Sequence, residues 1–156
     1  KLEEKNMVFS DSFSELIEKN QKSGVYVIDN SYFKKDFDVL SGGLVYKVVP
    51  KNDFQDYQVK KINEDFWNSR DLRFLENKNF DKEYWNQELV HIYTASLNNF
   101  AAWLFNAGNV EESIKYFEKS LEIRENQNAL YNLWGINNAI GKEQEAGEYK
   151  ERFEEL

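Results

Sequence analysis

The stretch Asn109-Val-Glu-Glu-Ser-Ile-Lys-Tyr-Phe-Glu-Lys-Ser-Leu-Glu-Ile123 decides the fold. Ile114, Phe117, Leu121 and Ile123 fall on or near one face of a helix, with charged residues opposite. Such a helix buries one stripe and leaves the other in water. Upstream, Asn106-Ala107-Gly108-Asn109 is a turn. Before it, apolar residues recur at helical spacing through Tyr84, Trp85, Leu89, Ile92 and Tyr93 to Ala107. This predicts a long helix that begins near Lys82 with Asp81 as its cap. Downstream, a helix over about Asn128 to Ile140 breaks at Gly141, and another follows to the end.

Thr94 to Gln127 resembles a tetratricopeptide repeat in length and pattern. Leu97, Phe100, Ala101 and Leu104 stand at the large, large, small and large positions of the first helix, and Gly108 closes the turn. Ser113, Phe117 and Ser120 are the small, large and small residues of the second. Small residues let two antiparallel helices approach closely, and large ones fill the groove beside them. Glu125 stands where the repeat usually has proline. A degenerate second unit begins at Asn128, with Gly135 in the small position of its first helix. Ala146, Tyr149 and Phe153 lie along its second helix, and its turn, Gly141-Lys142-Glu143, reads as one residue short. A terminal unit with an acidic last helix is expected to cap such an array.

The first part of the chain reads differently. Ser12-Phe13-Ser14-Glu15 is a capping box opening a helix to about Gln21, which Ser23-Gly24 stops. Val25-Tyr26-Val27-Ile28 and Leu44-Val45-Tyr46-Lys47-Val48-Val49 are short β-rich runs, the second opened by Gly42-Gly43 and ended by Pro50. Met7-Val8-Phe9 is a candidate third strand. A helix is expected over part of Tyr57–Trp67, with irregular chain around 70–79. The fold class is therefore α+β. A small α/β lobe of two or three strands covers 1–52, and a polar, aromatic connector with a short helix covers 53–80. A tetratricopeptide-type region covers 81–156, with the clear repeat at 94–127 and the capping unit at 128–156. So small a sheet needs a helical layer to cover it.

Composition narrows the function. A charge of −8 with interleaved basic residues disfavours nucleic acid, which needs clustered Lys and Arg. The absence of cysteine removes disulfides, thiolate zinc sites and cysteine nucleophiles, and leaves the compartment open. No apolar run approaches the roughly 20 residues needed to span a bilayer. The opening Lys1-Leu2-Glu3-Glu4-Lys5 is no signal peptide, and the first residue is not Met. The chain is thus expected to be a fragment or processed form, with any anchor upstream.

A broader resemblance covers most of the chain. Val25-Tyr26-Val27 is followed in order by Gly43-Leu44-Val45-Tyr46-Lys47-Val48-Val49-Pro50, then Trp67 with Leu72-Arg73, then the repeat. The series is similar to the soluble C-terminal region of a prokaryotic multi-spanning membrane-protein family related to protein O-mannosyltransferase-like glycosyltransferases. Gly24 stands where that family often has proline, and Lys47 where arginine is common. The resemblance implies an extracytoplasmic domain on a membrane-embedded body. The catalytic acids would lie in that body, so none is assigned here.

The remaining chemistry is sparse. His91 is the only histidine, and one histidine with scattered carboxylates does not make a zinc site. Gly42-Gly43 lacks the spacing and the following lysine of a phosphate loop. Ser12 and Ser14 have no histidine to activate them, and no carboxylate pair is nominated for glycan hydrolysis. Trp103 and Trp134 sit at or beside helix-packing positions, whereas Trp67 and Trp85 are unplaced. The chain is read as non-enzymatic, without cofactor or metal. Its candidate binding face is the first helix of each repeat: Asn98, Ala102, Phe105, Asn106, Asn132 and Ile136, with Ala139 beside them. The expected partner is a protein or peptide, or the membrane-embedded part of the same chain, with a membrane reached only through an upstream anchor. A free-standing soluble adaptor and a small carbohydrate-binding or glycan-processing domain are the alternatives.

Overall fold

A computed structural model describes residues 15–16, 19–20, 25–27, 37–50, 56–73, 75 and 84–156, with backbone only at 56–57 and 84–85. The chain forms two compact units, Lys1–Phe66 and Trp67–Leu156.

β-Branched residues build the first unit. Strands β1 (Val25–Val27), β2 (Phe37–Gly42) and β3 (Val45–Pro50) form an antiparallel sheet in the order β1-β3-β2. Val25 and Val39 both pair with Val48, so one row of valines crosses all three strands. With Phe37 and Val27 they pack into one small core, in which Phe37 and Val48 are buried. Leu40 and Val49, buried as well, alternate to the other face.

β2 and β3 are joined by a two-residue turn, Gly43-Leu44, since Gly42 pairs with Val45. Gly43 takes a φ of 71°, the left-handed backbone that tight hairpins require at that point. A Cβ there would stand 2.5 Å from the Phe66 ring, so the site needs glycine for space as well. Helix α1 (Asp56–Asn68) lays Asn63 against this turn. The Asn63 Oδ1 accepts the Gly43 N–H at 2.9 Å, and its Nδ2 donates to the carbonyls of Ser41 (2.6 Å) and Val59 (2.9 Å). One buried amide thus satisfies the backbone of the turn.

Glu15, Leu16 and Lys19 are helical, with Lys19 paired to Glu15 one turn away. The remainder of the expected first helix, and the Met7–Phe9 strand, lie outside the described residues. The third described strand is β2, a stretch whose residues carry little β signal. Asp38, Ser41 and Gly42 are poor strand formers, and pairing to β3 overrides them.

The second unit is helical: α2 (Tyr84–Asn106), α3 (Val110–Ile123), α4 (Gln127–Ala139) and α5 (Glu143–Glu154). They pack as two antiparallel hairpins, α2 with α3 and α4 with α5, and α4 stacks on α3 and touches α2. Leu97, Phe100, Ala101, Leu104, Ser113, Phe117 and Ser120, the residues expected at the repeat's packing positions, are all wholly buried. The Ser113 hydroxyl donates to the Ala101 carbonyl at 2.8 Å, a bond that only a small residue at a close crossing can make. Phe100 meets the Tyr116 ring edge-on at 4.7 Å and stacks on Trp103 at 6.0 Å. Trp67 is wholly buried against the edge of Tyr93, and Lys119 Nζ donates to its carbonyl at 3.3 Å.

The second hairpin departs from expectation in register. Its turn is not short. Ala107–Asn109 and Ile140–Lys142 are loops of equal length, each with a left-handed glycine (Gly108, φ 80°; Gly141, φ 78°). Asn109 N–H reaches the Leu104 carbonyl at 2.9 Å, and Lys142 N–H reaches that of Asn137 at the same distance. Both are the long bond of a Schellman cap. The two glycines stand 33 residues apart. The residue missing from the usual period therefore lies in the link at 124–126, and counterparts shift by one.

Gly135 accordingly is not the close-packing residue. It is exposed, and a Cβ there would meet nothing within 4 Å. Trp134 stands at the position of Ala101 instead, within a cluster with Tyr131 and Phe153 whose centroids lie 5.9 to 6.3 Å apart.

Candidate functional site

Polar side chains fix the stacking of one hairpin on the next. Asn126 caps α4, its Oδ1 accepting the Ala129 N–H at 3.0 Å. The same oxygen accepts Asn98 Nδ2 at 2.9 Å, while Asn126 Nδ2 donates to Ser120 Oγ (3.1 Å) and to the Arg124 carbonyl (2.9 Å). Ser120 Oγ donates in turn to the Thr94 carbonyl at 3.3 Å. Nothing in the tetratricopeptide pattern singled out Asn126. The available signal was an Asn three residues before Ala129, at a helix start.

This latch decides the place of Asn98. It is buried, with its nitrogen engaged by Asn126 and its Oδ1 enclosed, so it holds the stack instead of lining a surface. Ile136 is 4% exposed and belongs to the core. Asn132 is half-buried, its Nδ2 bonded to the Asn128 carbonyl at 2.7 Å. Ala102 is half-buried, whereas Phe105 (40% exposed), Asn106 and Ala139 reach solvent. His91 is exposed.

The 33-residue offset gives the surface its α4 half. Ala95, Ala102, Phe105 and Asn106 correspond to Asn128, Gly135, Asn138 and Ala139, and Asn98 to Tyr131. Each set recurs at three- and four-residue intervals, hence along one side of its helix. All five α4 residues are exposed, Tyr131 most conspicuously at 58%.

Apart from Glu88 near the start of α2, charge separates between helices. No charged residue occurs from Ile92 to Val110 or from Asn126 to Gly141. α3 and α5 carry the charges instead. Between them, Glu118, Leu121, Glu122, Tyr149 and Arg152 line an open hollow of about 260 Å³. Its polar arms already serve each other. Arg152 forks onto Glu125 at 2.8 and 3.1 Å, which raises the guanidinium's pKa, and Tyr149 Oη donates to Glu118 at 2.8 Å.

Burial, then the bond to Glu118, push the Tyr149 phenol up to about 12. A raised value means that folding favours the neutral phenol. Its contribution is whole below the ordinary tyrosine value near ~10 and is lost as pH rises through about 12. In an ultraviolet phenolate titration, a late step near pH 12 is therefore expected, and Tyr149→Phe should delete it. A late step that persists in the variant would show the assignment to be mistaken.

Among the described residues, no group of three His, Asp or Glu side chains is placed to hold a metal, and no helix is long and apolar enough to cross a membrane.

Residues 94–126 match the tetratricopeptide repeat family. The match takes in the second half of α2, the Gly108 turn, all of α3 and the link that carries Asn126. Tetratricopeptide hairpins generally mediate protein or peptide contacts, so the helical unit is an interaction module at that level. No curated protein and no solved structure matches the chain.

Proposed function

We propose that the chain is a non-catalytic scaffolding domain that docks a protein segment on the side of α2 and α4 facing away from their hairpin partners. The observation that carries the reading is the tetratricopeptide hairpin together with its charge-free side. Of the residues expected there, Ala102, Phe105 and Asn106 serve from α2. Asn128, Gly135 and Asn138 complete the α4 side beside Ala139, with Asn132 on its flank. Asn98 and Ile136 support the face from beneath. A photo-crosslinker at Asn106 or Asn138 should capture the partner, and one at Glu148 on α5 should not. Equal capture from α5 would move the docking surface to the charged helices.

The ordered motifs of the first unit and connector support a further context: the extracytoplasmic C-terminal part of a membrane-embedded, glycosyltransferase-like protein. In that setting the partner can be the membrane-embedded part of the same chain. The reading frame upstream of Lys1 is then expected to encode several apolar spans of about 20 residues. A frame without them would leave a free-standing adaptor.

A further inference from the structure

We infer that the α2–α4 face takes an uncharged, extended peptide segment with aliphatic or aromatic side chains, and not a charged tail. This rests on the reading of that face as the docking surface and names what it selects. In a chain with 31% charged residues, two stretches on successive first helices carry none. A charged side chain laid on them would lose hydration and meet no counter-charge.

The floor of the face is small. Ala102 and its counterpart Gly135 stand at its middle, and space beyond Gly135 is open. A glycine inside a helix weakens it relative to alanine, and no neighbour in the fold requires this one. It leaves room on that side for another backbone to come close. Phe105 offers an exposed ring for apolar side chains, and Tyr131, held on one side by Trp134 and Phe153, borders the face. Asn106, Asn128 and Asn138 are exposed amides, able both to donate to and to accept from a peptide backbone. A second copy of the chain is disfavoured, because each copy carries −8.

The test uses the intact chain and synthetic peptides of about ten residues in neutral, basic and acidic series, with affinity read by calorimetry at low and high salt. The neutral series rich in Leu, Tyr and Asn should bind, changing by less than about twofold with salt. Gly135→Leu should weaken binding by about tenfold or more without lowering the unfolding midpoint, since the added side chain enters open space. Asn106→Glu with Asn138→Glu should turn the preference toward the basic series. Salt-sensitive binding of a charged series that Gly135→Leu weakens would overturn the inference while leaving the docking face standing. Binding of maltoheptaose in place of peptides, or self-association in sedimentation, would also overturn it. Binding of no series at all would remove the docking face together with the inference.

Discussion

Phe117→Ala is expected to destabilise the helical unit by about 3–5 kcal/mol, as removal of a large buried aromatic side chain does when its surroundings close up incompletely. Phe117 is wholly buried, and so are the small residues one turn to either side, Ser113 and Ser120. Ser113 is tied to the facing helix through Ala101. The backbones are therefore already in close approach and cannot move inward to fill the space. Urea unfolding followed by tryptophan fluorescence reads this directly, because Trp67, Trp103 and Trp134 all belong to the second unit. The exposed neighbour Lys115 serves as the contrast: Lys115→Gln should shift stability by less than about 0.5 kcal/mol. A Phe117→Ala cost below about 1 kcal/mol would mean that the hairpin is not packed in this way.

Asn63→Ala should cost the first unit about 2–4 kcal/mol. The substitution strips partners from the Gly43 N–H and from the Ser41 carbonyl, and each buried polar group left unsatisfied costs about 1–3 kcal/mol. The Val59 carbonyl loses only a second, local bond, so it adds little. Asn63→Asp is the informative companion. It retains the acceptor for Gly43 but replaces the donor to Ser41 with a buried charge, and should do no better than alanine. No tryptophan lies in this unit, so amide hydrogen exchange across β2 and β3 is the suitable measurement. Unchanged protection at Gly43 and Val45 would show that the turn holds without Asn63.

What could be read in the sequence follows physical reach. The tetratricopeptide hairpin was legible because its packing rule is local: large and small residues at helical spacing, closed by Gly108. The seven side chains picked from that rule are the seven found buried. β2 was not legible, since Phe37–Gly42 becomes a strand only by pairing with β3. The second hairpin is legible in outline but not in register, because the usual repeat period points one residue past the alignment that the two glycines set. That one-residue slip placed Ile136 on the candidate face in place of Gly135. The burial of Trp67 and the Asn98–Asn126 latch depend on residues far apart in the chain, and no spacing rule announces them.

The order of the sheet bears on how the first unit assembles. β3 is the middle strand although it is the last of the three in the chain. β2 and β3 meet across two residues, a contact that closes quickly. β1 must wait, for its partners Tyr46 to Val48 do not exist until the ribosome has passed them. The longer loop between Val27 and Tyr46 also costs more entropy to close. During synthesis, Val25–Val27 is thus a nascent strand without a template, and the hairpin is the platform on which it later docks.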